Sequence, residues 1–217
     1  FWKTINRHAS GLHPMAQNTQ VKVVRNATLI DGTGKKPVKD ATIIIRGKVI
    51  EEVGKTLDAP RDAVIIDAAS KTVMPGLIDA HVHVCSNGDA SVLTAMNYPP
   101  GLVQLFGAHN AAKTLDAGYT MIRDMGAPSG YALSLKRAIE MGIAKGPRIV
   151  APGRIISMTG GHADFHIPSG ISYNEMSLIS DGPVETRRST RINLREGADF
   201  IKVMVTGGNT TPGSNPG

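Results

Sequence analysis

Two histidines one residue apart, His81 and His83, end a strongly apolar stretch and have the spacing of paired metal ligands. The stretch opens with Pro75 and Gly76 and carries Asp79 just before the pair. Side chains alternate faces along a β-strand, so the two imidazoles are expected on one face. Paired imidazoles on a rigid strand suit a divalent metal such as zinc. Short His-x-His pairs also arise by chance, so the interpretation depends on the other polar residues.

A lone cation, Lys202, lies inside the apolar run at 200–206. A charged lysine in such a strand is costly unless it is paired or chemically changed. Three solutions are open: a structural ion pair, an uncharged amine that forms a Schiff base, or an amine carboxylated by carbon dioxide. The third gives an anionic carbamate that can bridge two metal ions. The upstream histidine pair makes the carbamate the best fit.

His162 follows the third predicted strand, in the Gly-Gly-His-Ala-Asp loop at 160–164. It has two interpretations, which are a contact to the substrate carboxylate or transition state and a loop histidine bonded to Asp164. Arg123 and Asp124 end the second predicted strand. We interpret them as a buried ion pair that braces the fold.

Predicted strands and helices alternate from about residue 73 onward. Such an order is typical of a parallel sheet with right-handed crossovers. The polar candidates follow strands, as in (β/α)8 enzymes, and no Gly-x-Gly-x-x-Gly of a doubly wound dinucleotide site follows the first strand. The predicted strands cover 73–84, 119–125, 148–158 and 200–206, and the predicted helices cover 102–115, 131–139 and 183–196.

The predicted fold is α/β, a partial (β/α)8 TIM-like barrel preceded by a small β-sandwich segment. Residues 21–72 show strand alternation, a turn at 31–34 and a hairpin turn at 47–48, so they form the sandwich segment. Residues 1–20 lack periodicity and are expected to be a leader or disordered arm. A complete barrel takes about 250 residues. Residues 73–217 are therefore expected to hold roughly four of eight βα units, as a truncated first half.

Composition disfavours several classes of protein. The net charge is +6, and the basic residues are scattered without interleaved aromatics, so we expect no nucleic-acid partner. No apolar run reaches the roughly 18 residues of a membrane helix, so we expect no membrane partner. The single cysteine, Cys85, excludes an intramolecular disulfide and is interpreted as a packing residue. The N-terminus lacks a secretory apolar core, and a cytoplasmic location is expected.

From about residue 21 to its end, the chain resembles the N-terminal half of the amidohydrolase superfamily of metal-dependent hydrolases. It is most similar to the branch with Xaa-Pro dipeptidase-like and imidazolonepropionase-related enzymes. The specific matches are the His-x-His stretch at 73–84 and the Ile-Lys-Val-Met run at 201–204. Supporting matches lie at 26–32, 118–124, 146–149 and 159–164.

The resemblance implies a distorted barrel with a binuclear metal centre of two zinc ions, or of iron or manganese. His81 and His83 would hold one ion, and the carbamate of Lys202 would bridge both. A metal-activated hydroxide would then hydrolyse an amide or peptide-like C–N bond, with Lys202 and His162 as catalytic residues. The substrate would be a small molecule of the N-acyl amino acid or dipeptide class, and a homo-oligomer stays open.

The family takes two further histidines and an aspartate from later strands, and these are expected beyond residue 217. The chain is therefore expected to be an N-terminal fragment that is inactive alone. The alternative is a non-catalytic scaffold protein with the amidohydrolase fold. A lysine aldolase-type barrel is less favoured, because a Schiff-base lysine does not need a His-x-His pair.

Overall fold

The computed structural model describes residues 20–88, 97–167, 171–173, 175–209, 211 and 214. Residues 1–19, nearly all of the predicted leader, lie outside them. The chain divides into two compact units, Phe1–Pro75 and Gly76–Gly217. Within the described ranges, no helix is long and apolar enough to cross a membrane.

The first unit is a five-stranded sheet. Its order is β3-β2-β1-β4, and β5 also pairs with β1. The hairpin of β2 and β3 turns at Gly47, which has a φ of +58°. Val21, Val23 and Ile44 are buried together, because alternate residues of a strand share one face. The strands are β1 (Val21–Leu29), β2 (Val38–Arg46), β3 (Val49–Gly54), β4 (Val64–Asp67) and β5 (Thr72–Val73).

The second unit begins with strands and helices in alternation. Strands β6 (Leu77–Val82), β7 (Tyr119–Asp124) and β8 (Arg148–Val150) form a parallel sheet in that order. Helix α1 (Pro100–Asp116) connects the first two strands, and α2 (Tyr131–Glu140) connects the second and third. The predicted helices at 102–115 and 131–139 are confirmed, and this unit is α/β.

The rest of the second unit contains a hairpin that the sequence analysis missed. Strands β10 (Phe165–Ile167) and β11 (Ile171–Tyr173) pair antiparallel, in a region for which no strand or helix is predicted. Strand β9 (Ile155–Ser157) pairs in parallel with β12 (Ser177–Ile179). Helix α3 (Pro183–Arg195) confirms the predicted helix at 183–196.

The predicted continuous strand at 73–84 is wrong. Thr72 and Val73 pair with the sheet of the first unit, whereas residues 77–82 pair with β7. Pro75 has no N–H to donate, and Gly76 lies against Thr120 so closely that a Cβ would collide with it. The strand is also not buried on both faces, because Ile78 is 63% exposed.

Two further strand predictions are wrong in detail. The run at 148–158 is split into β8 and β9, which belong to different sheets. Gly153, with a φ of +76°, turns the chain between them. The run at 200–206 makes a single parallel bridge, between Val203 and Ile156.

A hydrophobic core lies between the three-stranded sheet and helices α1 and α2. Cys85 belongs to this core, as the packing interpretation predicted. Its Sγ occupies the space beside Gly107, where a Cβ would stand 2.8 Å from the sulfur. Other members are Val84, Val103, Ala111, Ile122, Leu135 and Ile149.

Candidate metal centre

His81 and His83 come together where β6 ends. His81 is the fifth of the six residues of that strand, and His83 follows its last residue. The two rings have centroids 5.7 Å apart and planes inclined by 61°. Both residues are exposed, so a ligand can approach the rings.

The tautomer of His83 is fixed by the main chain. Its Nδ1 lies 2.7 Å from the carbonyl oxygen of Gly126. A carbonyl oxygen only accepts, so Nδ1 carries the proton and Nε2 keeps its lone pair. Metal-binding histidines commonly make this type of bond, because it fixes the ring and directs the other nitrogen at the ion.

Asp124 fixes the position of Gly126. The carboxylate accepts the N–H of Val84 at 2.8 Å and that of Gly126 at 2.9 Å. Asp124 is fully buried, and burial raises the pKa of this carboxyl, while the two backbone bonds act in the opposite direction. The carboxylate therefore holds the segment after β7 against the segment after β6, which carries His83.

The predicted ion pair between Arg123 and Asp124 is wrong. Adjacent residues of a strand point to opposite faces, so the two side chains diverge. Arg123 instead donates to the carbonyl oxygen of Ala80 at 2.7 Å. Its guanidinium also lies 5.9 Å from the ring centroid of Phe200.

Lys202 lies beside β9 through its main chain. Its carbonyl oxygen accepts the N–H of Ile156 at 2.9 Å, and Met204 donates to the carbonyl of Ile156 at 2.9 Å. Partial removal from water is the largest cause that lowers the pKa of His81, and the charges of His83 and Lys202 add to it. Lys202 is therefore within electrostatic reach of the pair. No ion pair to Lys202 occurs in the described part of the chain, so the structural ion-pair alternative has no partner there.

His162 is also within electrostatic reach of Lys202 and His83, and its loop holds it in place. Ser157 Oγ donates to its carbonyl oxygen at 2.5 Å, and Thr211 Oγ1 lies 2.9 Å from its Nδ1. Burial, followed by the charges of Lys202 and His83, lowers the pKa of His162. The alternative bond to Asp164 is not found among the described residues: the Nδ1 of His162 contacts Thr211, and Asp164 accepts the N–H of Gly160 at 2.8 Å.

The described residues fit part of a metal centre. Among them, no three His, Cys, Asp or Glu side chains are grouped as ligands. They offer two imidazoles, one with a fixed tautomer, and the amine of Lys202. An ammonium repels a cation, so Lys202 fits as a ligand only in an uncharged or anionic form.

The sequence profile of the amidohydrolase family matches residues 72–216. This chain belongs to the amidohydrolase family. The resemblance expected from the residues is thereby confirmed. Among curated relatives, the ochratoxinase of Aspergillus niger is 31% identical to this amidohydrolase over 91% of the chain and 44% of its own length.

Solved structures agree with the α/β fold of this amidohydrolase. A crystal structure of a prolidase complexed with N-methylphosphonate-L-proline is 31% identical, with a TM-score of 0.82 over 90% of this chain and 49% of its own. A crystal structure of a Xaa-Pro dipeptidase with bound methionine in the active site is 31% identical. Its TM-score is 0.76, and the match covers 87% of this chain and 48% of the dipeptidase chain. The chain spans about half the length of the relatives that it matches.

Sequence analysis missed two groups of this site. One is the carbonyl group of Gly126. Every residue has a main-chain carbonyl, so the residue type does not indicate its role. Thr211 lies 49 positions from His162, in a run of Gly, Asn, Thr, Pro and Ser with no periodic signal. The Asp124-Met125-Gly126 spacing was the nearest available sign, because an acidic side chain commonly bonds the N–H two residues on.

Proposed function

We propose that the full-length protein is a metal-dependent hydrolase of amide or peptide-like C–N bonds. Membership of the amidohydrolase family and the hydrolase activities of the ochratoxinase, prolidase and dipeptidase relatives support this class. The observation that carries the proposal is the closeness of His81 and His83 at one strand end, within electrostatic reach of Lys202. Small N-acyl amino acids and dipeptides are the proposed substrates.

We further propose that the second unit is the first half of a distorted (β/α)8 barrel of about four βα units, with residues 21–72 as part of a β-sandwich. The parallel order of β6, β7 and β8 supports this. So does the parallel bridge between β9 and Val203. His81, His83 and Lys202 would then face the active-site end that barrel enzymes share.

When bound, two divalent ions, zinc or else iron or manganese, lower the pKa of water and polarise the scissile carbonyl. The chain supplies the ligands that hold them. His83 offers Nε2, because its Nδ1–H is bonded to Gly126. His81 offers the second imidazole, and its pKa is lowered by partial removal from water and then by the charges of His83 and Lys202.

Lys202 would bridge the two ions as a carbamate. The uncharged amine adds to carbon dioxide, forms an N–C bond and releases one proton, which leaves an anion with two oxygen ligands. This change removes the positive charge that now lowers the pKa of His81 and His162. Lys202 has no carboxylate partner among the described residues. As a carbamate it would instead be stabilised by the two ions that it binds.

Metal analysis and hydrolysis by the full-length protein test the proposal. Wild type is expected to hold two ions per chain and to cleave members of a panel of Xaa-Pro dipeptides and N-acyl amino acids. Lys202→Ala should lose bound metal and at least about 100-fold of kcat/KM. Lys48→Ala, at an exposed position in the hairpin turn of the first unit, is the matched control.

Two outcomes would overturn the proposal. Unchanged metal content and activity in Lys202→Ala would remove the bridging role. A folded, metal-free wild type that cleaves no member of the panel would favour the non-catalytic scaffold instead.

A further inference from the structure

Thr211 joins the loop of His162 to a distant part of the chain. Its side-chain oxygen lies 2.9 Å from the N–H nitrogen of Ala163 and 2.9 Å from Nδ1 of His162. Thr211 is 4% exposed. The bond to Ala163 is therefore buried and the bond to His162 partly buried. The chemistry of the groups involved gives the direction of each bond.

The amide of Ala163 can only donate, so the oxygen of Thr211 accepts from it. The hydroxyl has one hydrogen left, and a buried hydroxyl hydrogen needs an acceptor. Among the residues that the structure describes, the acceptor within reach is Nδ1 of His162. Nδ1 is then the unprotonated nitrogen, and the ring proton is on Nε2.

The surrounding loop holds this arrangement in place. Gly208 lies so close to the ring of His162 that a Cβ would collide with its Nδ1 side. Gly208 donates to Oγ of Ser214 at 3.0 Å, and Ser214 donates to the carbonyl of Thr211 at 3.1 Å. The hydrogen bond that the described residues make to this ring is at Nδ1, and none of them bonds Nε2.

We propose that Thr211 is a positioning residue that locks His162 as the Nε2–H tautomer, a neutral donor to a carbonyl or carboxylate oxygen of the substrate. This inference rests on the proposed hydrolase function. It also excludes two roles for Nε2, those of metal ligand and of proton acceptor, because its lone pair is absent. The tautomer of His162 is set by Thr211, a side chain outside the loop. In the Ser-His-Asp triad, a partner that fixes the wrong histidine tautomer lowers activity although the geometry is intact.

Kinetics of the full-length, metal-loaded protein test the role of Thr211. Thr211→Val keeps the shape of the side chain but removes the hydroxyl. We expect kcat/KM to fall about tenfold, which corresponds to the loss of one hydrogen bond, and the metal content to stay unchanged. Thr211→Ser restores the hydroxyl and should recover most of that loss. In the His162→Ala background, Thr211→Val should cost nothing more, because both changes remove the same contact. Wild-type kcat/KM in Thr211→Val, or fully additive losses, would overturn the proposal.

Nitrogen-15 NMR of histidine-labelled, full-length protein reads the tautomer without reference to activity. The signal of His162 is assigned by its loss in His162→Ala. A protonated Nε2 and an unprotonated Nδ1 are expected, and a protonated Nδ1 would overturn the inference even if the protein is a hydrolase. If the wild type cleaves nothing, the hydrolase proposal fails, and this spectrum still decides whether Thr211 sets the tautomer. The wild-type spectrum also decides it should Thr211→Val fail to fold.

Discussion

The Nδ1 of His83 lies 2.7 Å from the carbonyl oxygen of Gly126, 43 positions further along the chain. The bond joins the end of β6 to the segment after β7. Asp124 links the same two segments, because its carboxylate accepts the N–H of Val84 after β6 and the N–H of Gly126 after β7. The ring that completes the His-x-His pair is thus oriented by main chain from a neighbouring strand.

Removal of either paired imidazole should reduce metal binding. In the full-length protein, we expect His81→Ala and His83→Ala to lower the affinity for zinc by about tenfold or more, because each removes a ligand. His109→Ala, which removes an exposed ring on α1, should bind as wild type does. Inductively coupled plasma mass spectrometry after dialysis against chelator gives the measurement, and equal metal retention in all three variants would rule out the pair as ligands.

Gly126→Ala should damage both stability and metal binding. Gly126 has a φ of +128°, and a Cβ there would stand 2.6 Å from Cγ1 of Ile155. We expect a loss of roughly 2–4 kcal/mol in the free energy of unfolding. The carbonyl that orients His83 would move with it.

Gly101→Ala is the matched control for that change. Gly101 lies in α1 with no atom near its added Cβ, so alanine should be neutral or stabilising by up to about 1 kcal/mol. Urea denaturation and metal analysis of both variants check this. Equal behaviour of the two variants would contradict the packing argument.

Ile122→Ala should destabilise the α/β unit through a cavity. Ile122 is a residue of β7 that is fully buried in the hydrophobic core, and such truncations cost about 2–5 kcal/mol. Ile143→Ala removes the same atoms from a side chain that is 73% exposed, so we expect a change within about 0.5 kcal/mol. The urea denaturation midpoints of the two variants give the measurement. Similar losses of stability in both would show that Ile143 is covered in the full-length protein.

The carboxylate of Asp181 is expected to make the free energy of unfolding depend on pH. Hydrogen bonds from the hydroxyl and then the N–H of Thr159 lower its pKa from 3.8. A depressed folded pKa means that the ionised carboxylate stabilises the fold above the unfolded value, and that this gain is lost as pH falls through the folded value. Thr159 begins the loop of His162, so this bond also anchors that loop.

Asp181→Asn should therefore lower the urea midpoint at pH 7, with a difference from wild type that shrinks as pH falls below about 4. Asp62→Asn, at an exposed position of the first unit, is the matched charge control. The difference in urea midpoint between Asp181→Asn and wild type could instead stay constant from neutral to acidic pH. That result would show that the carboxylate charge has no role.

Local patterns in the sequence predicted several parts of this structure. The helices at 102–115, 131–139 and 183–196 were found because a helical period is visible within one segment. The shared placement of His81 and His83 follows from strand alternation over three residues. The strands were predicted less well, since the breaks at Pro75 and at Gly153 depend on which sheet accepts each segment.

The sequence by itself determined the family, the histidine pair and the lone lysine, because these are residue types at short spacings. Tertiary structure alone decided what surrounds them. Arg123 turns away from Asp124, His162 bonds Thr211 and not Asp164, and a backbone carbonyl sets the tautomer of His83. Those contacts join residues more than 40 positions apart, and hydrogen-bond direction over such separations is fixed only when packing brings the partners together.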